Sequence, residues 1–258
     1  MLVVDTAVIG GWISSVLWPF FRIGGFFLAA PIFGTQLVSA RIRIVLAILV
    51  TLILVPNLPA MPVIDSLSIT SFIIVAQQLL IGIAMGFSLQ LLLQLFVVGG
   101  QIIGMHMALG FASMVDPSNG VTVTVLSQFH LMLVTLLFVS MNGHLAMVEV
   151  LIESFYALPV GGLFISDNML LELAGRGSWM FSSALLLALP AIASLMIINY
   201  SLGIVTRAAP QLNIFALGFP AMLIIGLMII YIMLQGYVPL FDRFTREALD
   251  LMAFLVTP

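Results

Sequence analysis

The chain of 258 residues contains no cysteine and no lysine, and only 7% of its residues are charged. Without cysteine there is no disulfide framework, no thiolate metal site and no cysteine nucleophile. Without lysine, seven arginines carry all the positive charge against ten acidic residues, for a formal net charge of −3. Phosphate binding needs a basic surface, so nucleic acid is not an expected partner. A soluble domain carries about 25% charged residues. Here 63% of the chain is hydrophobic and the mean hydropathy is +1.31, which excludes an ordinary soluble globular domain. The residues before the first apolar run include Asp5 and no basic residue, unlike a cleaved signal peptide, so the N-terminus is expected to stay in the mature chain.

What is present is a series of uncharged runs, at 23–40, 44–64, 66–115, 117–148, 177–206 and 208–241. A membrane-spanning helix needs about 20 such residues. The run 66–115 would be roughly 75 Å long as one helix, more than twice the hydrocarbon thickness, so it must break. Gly99, Gly100, Gly104 and Gly110, followed by the Asp116–Gly120 turn sequence, are the candidates. The pattern predicts an all-α, membrane-associated fold: six hydrophobic helical segments near 8–32, 42–58, 70–103, 121–157, 177–206 and 214–238. These form helical hairpins, several broken by Gly or Pro. With an outside N-terminus, Arg41, Arg43 and Arg207 fall in inner loops and Arg176, Arg243 and Arg246 in outer ones. Such a tie is unusual for a helical protein lying flat in its membrane and points to protein partners.

Several polar features interrupt the apolar runs. Gln90, Gln94 and Gln101 share one helix face, and Gly82, Gly86, Gly100 and Gly104 form a stripe beside it. A small, amide-bearing face admits a second helix closely, either within the chain or from another subunit. Arg22 lies in an apolar segment and must pair with an acid, cap a broken helix or snorkel to an interface beside Trp12 and Trp18. Arg207 precedes Pro210, which frees helix carbonyls that an arginine can bond; the alternative is a plain connecting turn. His106, His130 and His144 lack the spacing that places two imidazoles on one ion, so no metal or other cofactor is expected. No nucleophile elbow and no phosphate-cradling glycine loop occurs, so no catalytic residue is assigned.

The segment 104–120 is apolar, glycine-broken and methionine-rich. Met105, Met107 and Met114 are deformable and Phe111 is bulky, so together they can close a passage and repack around whatever crosses it, although core filling explains any one of them. Residues 239–258 differ. As a helix over Leu240–Val256, they place Asp242, Arg243, Arg246, Glu247 and Asp250 on one side and Phe241, Phe244, Leu251, Met252 and Leu255 on the other. Such a helix lies against partners or at the membrane surface and does not span.

Three blocks of residues resemble the FliR family of flagellar biosynthetic proteins and its SctT relatives in virulence type III secretion. They are Gly100–Pro117, with its closing Asp116-Pro117; Asn142-Gly-His144-Leu leading into Ser154-Phe155 and Pro159-Val-Gly161; and the turn motif of Arg207, Pro210, Gln211, Asn213, Gly218 and Pro220. The third is the most specific, and the likeness covers essentially the whole chain. It implies a single export-gate domain over 1–258, assembled with FliP and FliQ, joined by FlhB and other basal-body components, and passing unfolded export substrates. It implies an inner-membrane location with the assembled core raised toward the periplasm. It also implies that 104–120 is a central plug, a role carried onto Met105, His106, Met107, Phe111, Met114, Asp116 and Pro117. The stripe of Gly82, Gly86, Gln90, Gln94, Gly100, Gln101 and Gly104 is the expected packing surface. No enzymatic activity and no cofactor are implied, and membrane lipid is the remaining contact. The alternatives are a virulence homologue, a free-standing multipass transporter for a small solute, or a membrane-embedded enzyme acting on lipid or peptide.

Overall fold

The computed structural model describes residues 6–34, 38–62, 68–110, 124–162, 167–209 and 214–254. Among these residues it is all helix, with no strand: α1 Thr6–Ala29, α2 Ala40–Leu54 with a 3-10 turn Val55–Asn57, α3 Ile69–His106, α4 Val125–Ser140, α5 Gly143–Ala157, α6 Asp167–Ala208, α7 Ile214–Leu234 and α8 Tyr237–Phe254. The expected all-α fold with its amphipathic C-terminal helix is what the chain adopts.

The helix boundaries differ from the sequence expectation in instructive ways. α3 runs unbroken for 38 residues, about 57 Å, straight through Gly99, Gly100 and Gly104. Those glycines sit against neighbouring groups, and that packing offsets their poor helix propensity. The segment expected over 121–157 is two helices, because the chain breaks at Asn142, which adopts the left-handed conformation with φ 58°. Asn is one of the few non-glycine residues that takes this conformation readily. α6 begins at Asp167, ten residues before the uncharged run. Its first turns carry an exposed Glu172–Arg176 contact of 3.8 Å at i,i+4 spacing, which a hydropathy pattern does not register.

The chain forms two compact units. The first comprises Met1–Leu91, Asn142–Arg176 and Thr245–Pro258. Its interior includes Trp18, Ile23, Phe26 and Phe27 of α1, Ala47 and Leu54 of α2, Ile74 and Ile81 of α3, and Leu151 and Phe155 of α5, all buried. Trp18 Nε1 donates to the Pro62 carbonyl at 3.3 Å, and Tyr156 Oη donates to the Asn57 carbonyl at 2.6 Å. Leu251 of α8 packs on Ala84 of α3 with Leu173 beside it.

The second unit comprises Leu92–Met141 and Gly177–Phe244. Ile103, Met107, Leu126, Ala188, Ala191, Leu195, Met222 and Ile230 form its core. Phe96 collects Tyr237, Phe241 and Phe244 around it, with ring centroids 5.5 to 6.0 Å away. The apolar residues Phe241, Phe244 and Leu251 of α8 were expected to meet partners or the membrane surface. They are instead covered by this chain's own side chains, since α3 supplies aromatic and small residues at matching positions.

Among the described residues, three helical stretches are long and apolar enough to cross a membrane: Ala40–Asn57, Ile69–His106 and Leu171–Ala208. Two bent pairs, α4 with α5 and α7 with α8, raise the number to five if each counts as one span.

Candidate functional site

Arg22 is completely buried in the first unit, and its guanidinium joins α1 to two other helices. From α1 its Nε donates to Gln78 Oε1 of α3 at 2.7 Å. Nη1 donates to the Ser154 carbonyl at 2.7 Å and Ser154 Oγ at 3.2 Å, and Nη2 donates to the Leu158 carbonyl at 2.8 Å. The guanidinium carbon lies 4.2 Å from the centre of the Phe155 ring. The last carbonyls of a helix have no partner within it and carry the negative end of the helix dipole. Arg22 therefore caps α5 from another helix, using neutral oxygens and an aromatic face. Of the three uses the sequence allowed, the cap is the one found. Ser154 and Phe155 stood within one of the family-like blocks, but nothing in their spacing linked them to Arg22 or Gln78.

The glycine stripe serves close packing inside the chain. A Cβ at Gly82 would fall on the Arg22 carbonyl, and one at Gly86 would stand 2.7 Å from Ala30 N and Phe26 O. In the second unit, a Cβ at Gly100 would be 2.9 Å from His130 Nδ1 and from Ser127 Cα, and one at Gly104 2.7 Å from Thr124 Oγ1. Gln101 Oε1 accepts from Thr124 N at 2.7 Å and from Ser127 Oγ at 3.1 Å. It thereby ties α3 to the N-cap of α4. His130 is buried, with Nδ1 donating to the Leu126 carbonyl at 2.8 Å. Gln90 and Gln94 are half-buried.

The methionine-rich segment is divided. α3 ends with His106 Nδ1 on the Ile102 carbonyl at 2.9 Å, and Ala108 turns left-handed with φ 64°. Met105 is 62% exposed, whereas Met107 is fully buried against Gly226 and Met222. Phe111, Met114, Asp116 and Pro117 lie outside the described residues, as do Pro210, Gln211 and Asn213. Arg207 is exposed at the end of α6, and Gly218 is buried and Pro220 exposed in α7.

The family model for bacterial export proteins, family 1, matches residues 13–248. The chain belongs to that export family. Among its relatives, the flagellar biosynthetic protein FliR of Pectobacterium carotovorum subsp. carotovorum is 37% identical over 95% of this chain and 94% of its own length. FliR of Escherichia coli (strain K12) is 36% identical over the same shares. FliR of Bacillus subtilis (strain 168) is 27% identical over 92% of this chain and 95% of its own.

In this export-family chain much apolar surface is uncovered. On α2, Ile42, Ile44, Val45, Leu49, Leu52 and Ile53 are all more than half exposed. On α6 and α7, Phe181, Ile197, Tyr200, Ile224 and Tyr231 are exposed to a similar degree. These helices suit an inner-membrane protein of the flagellar export apparatus, where lipid or other subunits cover such faces.

Proposed function

We propose that the chain is a non-enzymatic wall-and-seal subunit of the flagellar type III export gate. It assembles with FliP and FliQ, is joined by FlhB, and passes unfolded flagellar subunits out of the cytoplasm. The assembled core sits in the basal body, raised toward the periplasmic side of the inner membrane. The observation carrying this reading is the bareness of the apolar helices: the spanning window within Ala40–Asn57 is only 17% buried by the chain itself, and that within Leu171–Ala208 33%. Apolar helices exposed to this extent need neighbours, and the arginine tie favours protein over a flat lipid setting for much of that cover.

Within this reading, Met105, His106, Phe111 and Met114 belong to the seal, Asp116-Pro117 ends it, and Met107 anchors its start in the chain's own core. Gln90 and Gln94 are the stripe members turned to a neighbouring subunit, while the glycines serve packing within the chain. The family motif of Arg207, Pro210, Gln211, Asn213, Gly218 and Pro220 is assigned to partner contact. The chain supplies walls and a seal, and energy enters through other subunits.

Co-expression with FliP and FliQ tests the assembly, and deletion of residues 110–114, which spares the core side chains of Met107 and Leu109, tests the seal. The deletion complex should form normally and conduct small ions when reconstituted. A chain that purifies as a stable monomer would overturn the assembly, and a deletion complex as ion-tight as the parent would overturn the seal.

A further inference from the structure

The bare surface of α2 includes one groove with an exposed arginine a few turns from it, and lipid is the cover we assign to this part of the helix. Along one side of the α1–α2 pair, Trp12, Val16, Leu17 and Phe20 face Ile48 and Thr51 across an open groove of about 510 Å³. Thr51 Oγ1, the groove's one hydroxyl, is spent on the Ala47 carbonyl at 2.6 Å, so apart from the Trp12 indole the lining is apolar. An extended peptide in this groove would bring backbone amides to walls that otherwise cannot bond them. An acyl chain makes no such demand.

The charge is one-sided. From residue 6 to residue 64 the sequence contains Arg22, Arg41 and Arg43 and no acidic residue. Arg22 is buried and committed to the α5 cap, which leaves Arg41 and Arg43 at the start of α2. Arg43 Nη2 is held on the Val38 carbonyl at 3.2 Å, and Arg41 is exposed. At 100° per residue, Arg41, Val45, Ile48 and Leu52 fall within about 60° of one another. All four are exposed, so an apolar line leads from the Arg41 guanidinium to the groove. Ile48 and Thr51 lie about 10 and 15 Å from Arg41 along the helix axis. The second distance is half of the roughly 30 Å hydrocarbon thickness, the depth of one leaflet.

We propose that this face of the α1–α2 pair binds one anionic phospholipid, with the phosphate at Arg41 and one acyl chain along Val45 into the Phe20–Ile48–Thr51 groove. The site rests on the reading of the chain as a membrane-embedded gate subunit and adds the lipid class that this subunit selects.

The test uses the complex with FliP and FliQ, reconstituted in vesicles of equal parts phosphatidylglycerol and phosphatidylcholine, re-extracted, and weighed intact by native mass spectrometry. The parent should retain phosphatidylglycerol in preference. Arg41→Gln, a change at an exposed position, should lower that retention about fivefold. Ile48→Trp, which fills the groove, should lower it as well. Equal retention of the two lipids, or parental retention by Arg41→Gln, would overturn the site, as would a photo-crosslinker at position 48 that captured FliP or FliQ instead of lipid. Co-purification in the same samples separates the two ideas. A complex that assembles but shows no lipid preference rejects the lipid site alone, whereas a parent that does not assemble rejects the gate reading.

Discussion

Arg22 and Gln78 meet at 2.7 Å, guanidinium Nε to amide oxygen, with essentially no solvent at either side chain. A carboxylate in place of Gln78 would neutralise the charge; an amide accepts one hydrogen bond and leaves the cation free to serve the Ser154 and Leu158 carbonyls. The guanidinium thus holds α1, α3 and the end of α5 together through oxygens that share its charge, with the Phe155 ring face adding to that electrostatic support.

Arg22→Met should therefore destabilise the protein strongly. It removes the donor from Gln78 Oε1 and the Leu158 carbonyl, and leaves the Ser154 carbonyl only its bond from Leu158 N; each buried acceptor left without a donor costs about 1–3 kcal/mol. Arg22→Lys should not rescue it, because an ammonium cannot span the same three directions as a planar fork. Thermal midpoints of the purified complex measure this. A midpoint for Arg22→Met equal to the parent's would reject the cap.

Gly82→Ala and Gly24→Ala form a matched pair on facing helices. A Cβ at Gly82 meets α1 backbone, whereas one at Gly24 meets nothing within 4 Å. Gly82→Ala should cost about 1–3 kcal/mol through overpacking. Gly24→Ala should be neutral or stabilising by up to about 1 kcal/mol, the gain in helix propensity. Equal effects of the two changes on the thermal midpoint would show that the α1–α3 approach does not need glycine.

Gln101→Leu should expose the base of the methionine-rich segment without touching its side chains. The change leaves Thr124 N and Ser127 Oγ without the acceptor they share. Hydrogen exchange at the Thr124 amide should speed up by about tenfold or more, the equivalent of losing roughly 1.4 kcal/mol of protection. An unchanged exchange rate would mean that another group holds that amide.

The class of fold was readable from composition and spacing, because long uncharged runs leave helices as the only backbone solution in lipid or in a protein-filled apolar setting. The break at Asn142 was not, since one left-handed residue inside an apolar run changes neither hydropathy nor periodicity. The early start of α6 was hidden by Glu172 and Arg176, charges that a solvent-facing helical turn tolerates. The glycine stripe marked a close approach correctly, yet periodicity alone could not say that α1 fills it at Gly82 and Gly86 while Thr124 and Ser127 fill it at Gly104 and Gly100. Arg22 stood out in the sequence, but its partners lie 56 to 136 residues away, beyond the reach of any local pattern.

Met105 and Met107, two residues apart, allow the sealing role to be separated from core packing. Met107 is fully buried, and its side chain fills the space that a Cβ on Gly226 would need. Met107→Ala opens a cavity and should cost about 2–5 kcal/mol. Met105 is 62% exposed, so Met105→Ala should move stability by no more than about 0.5 kcal/mol. If the exposed methionine belongs to the seal, that same silent variant should raise the ion conductance of reconstituted complexes, because a shorter side chain fills less of a closed passage. Conductance that rose only in step with lost stability, in Met107→Ala and not in Met105→Ala, would assign the methionines at the end of α3 to the core and leave the seal to residues further along the chain.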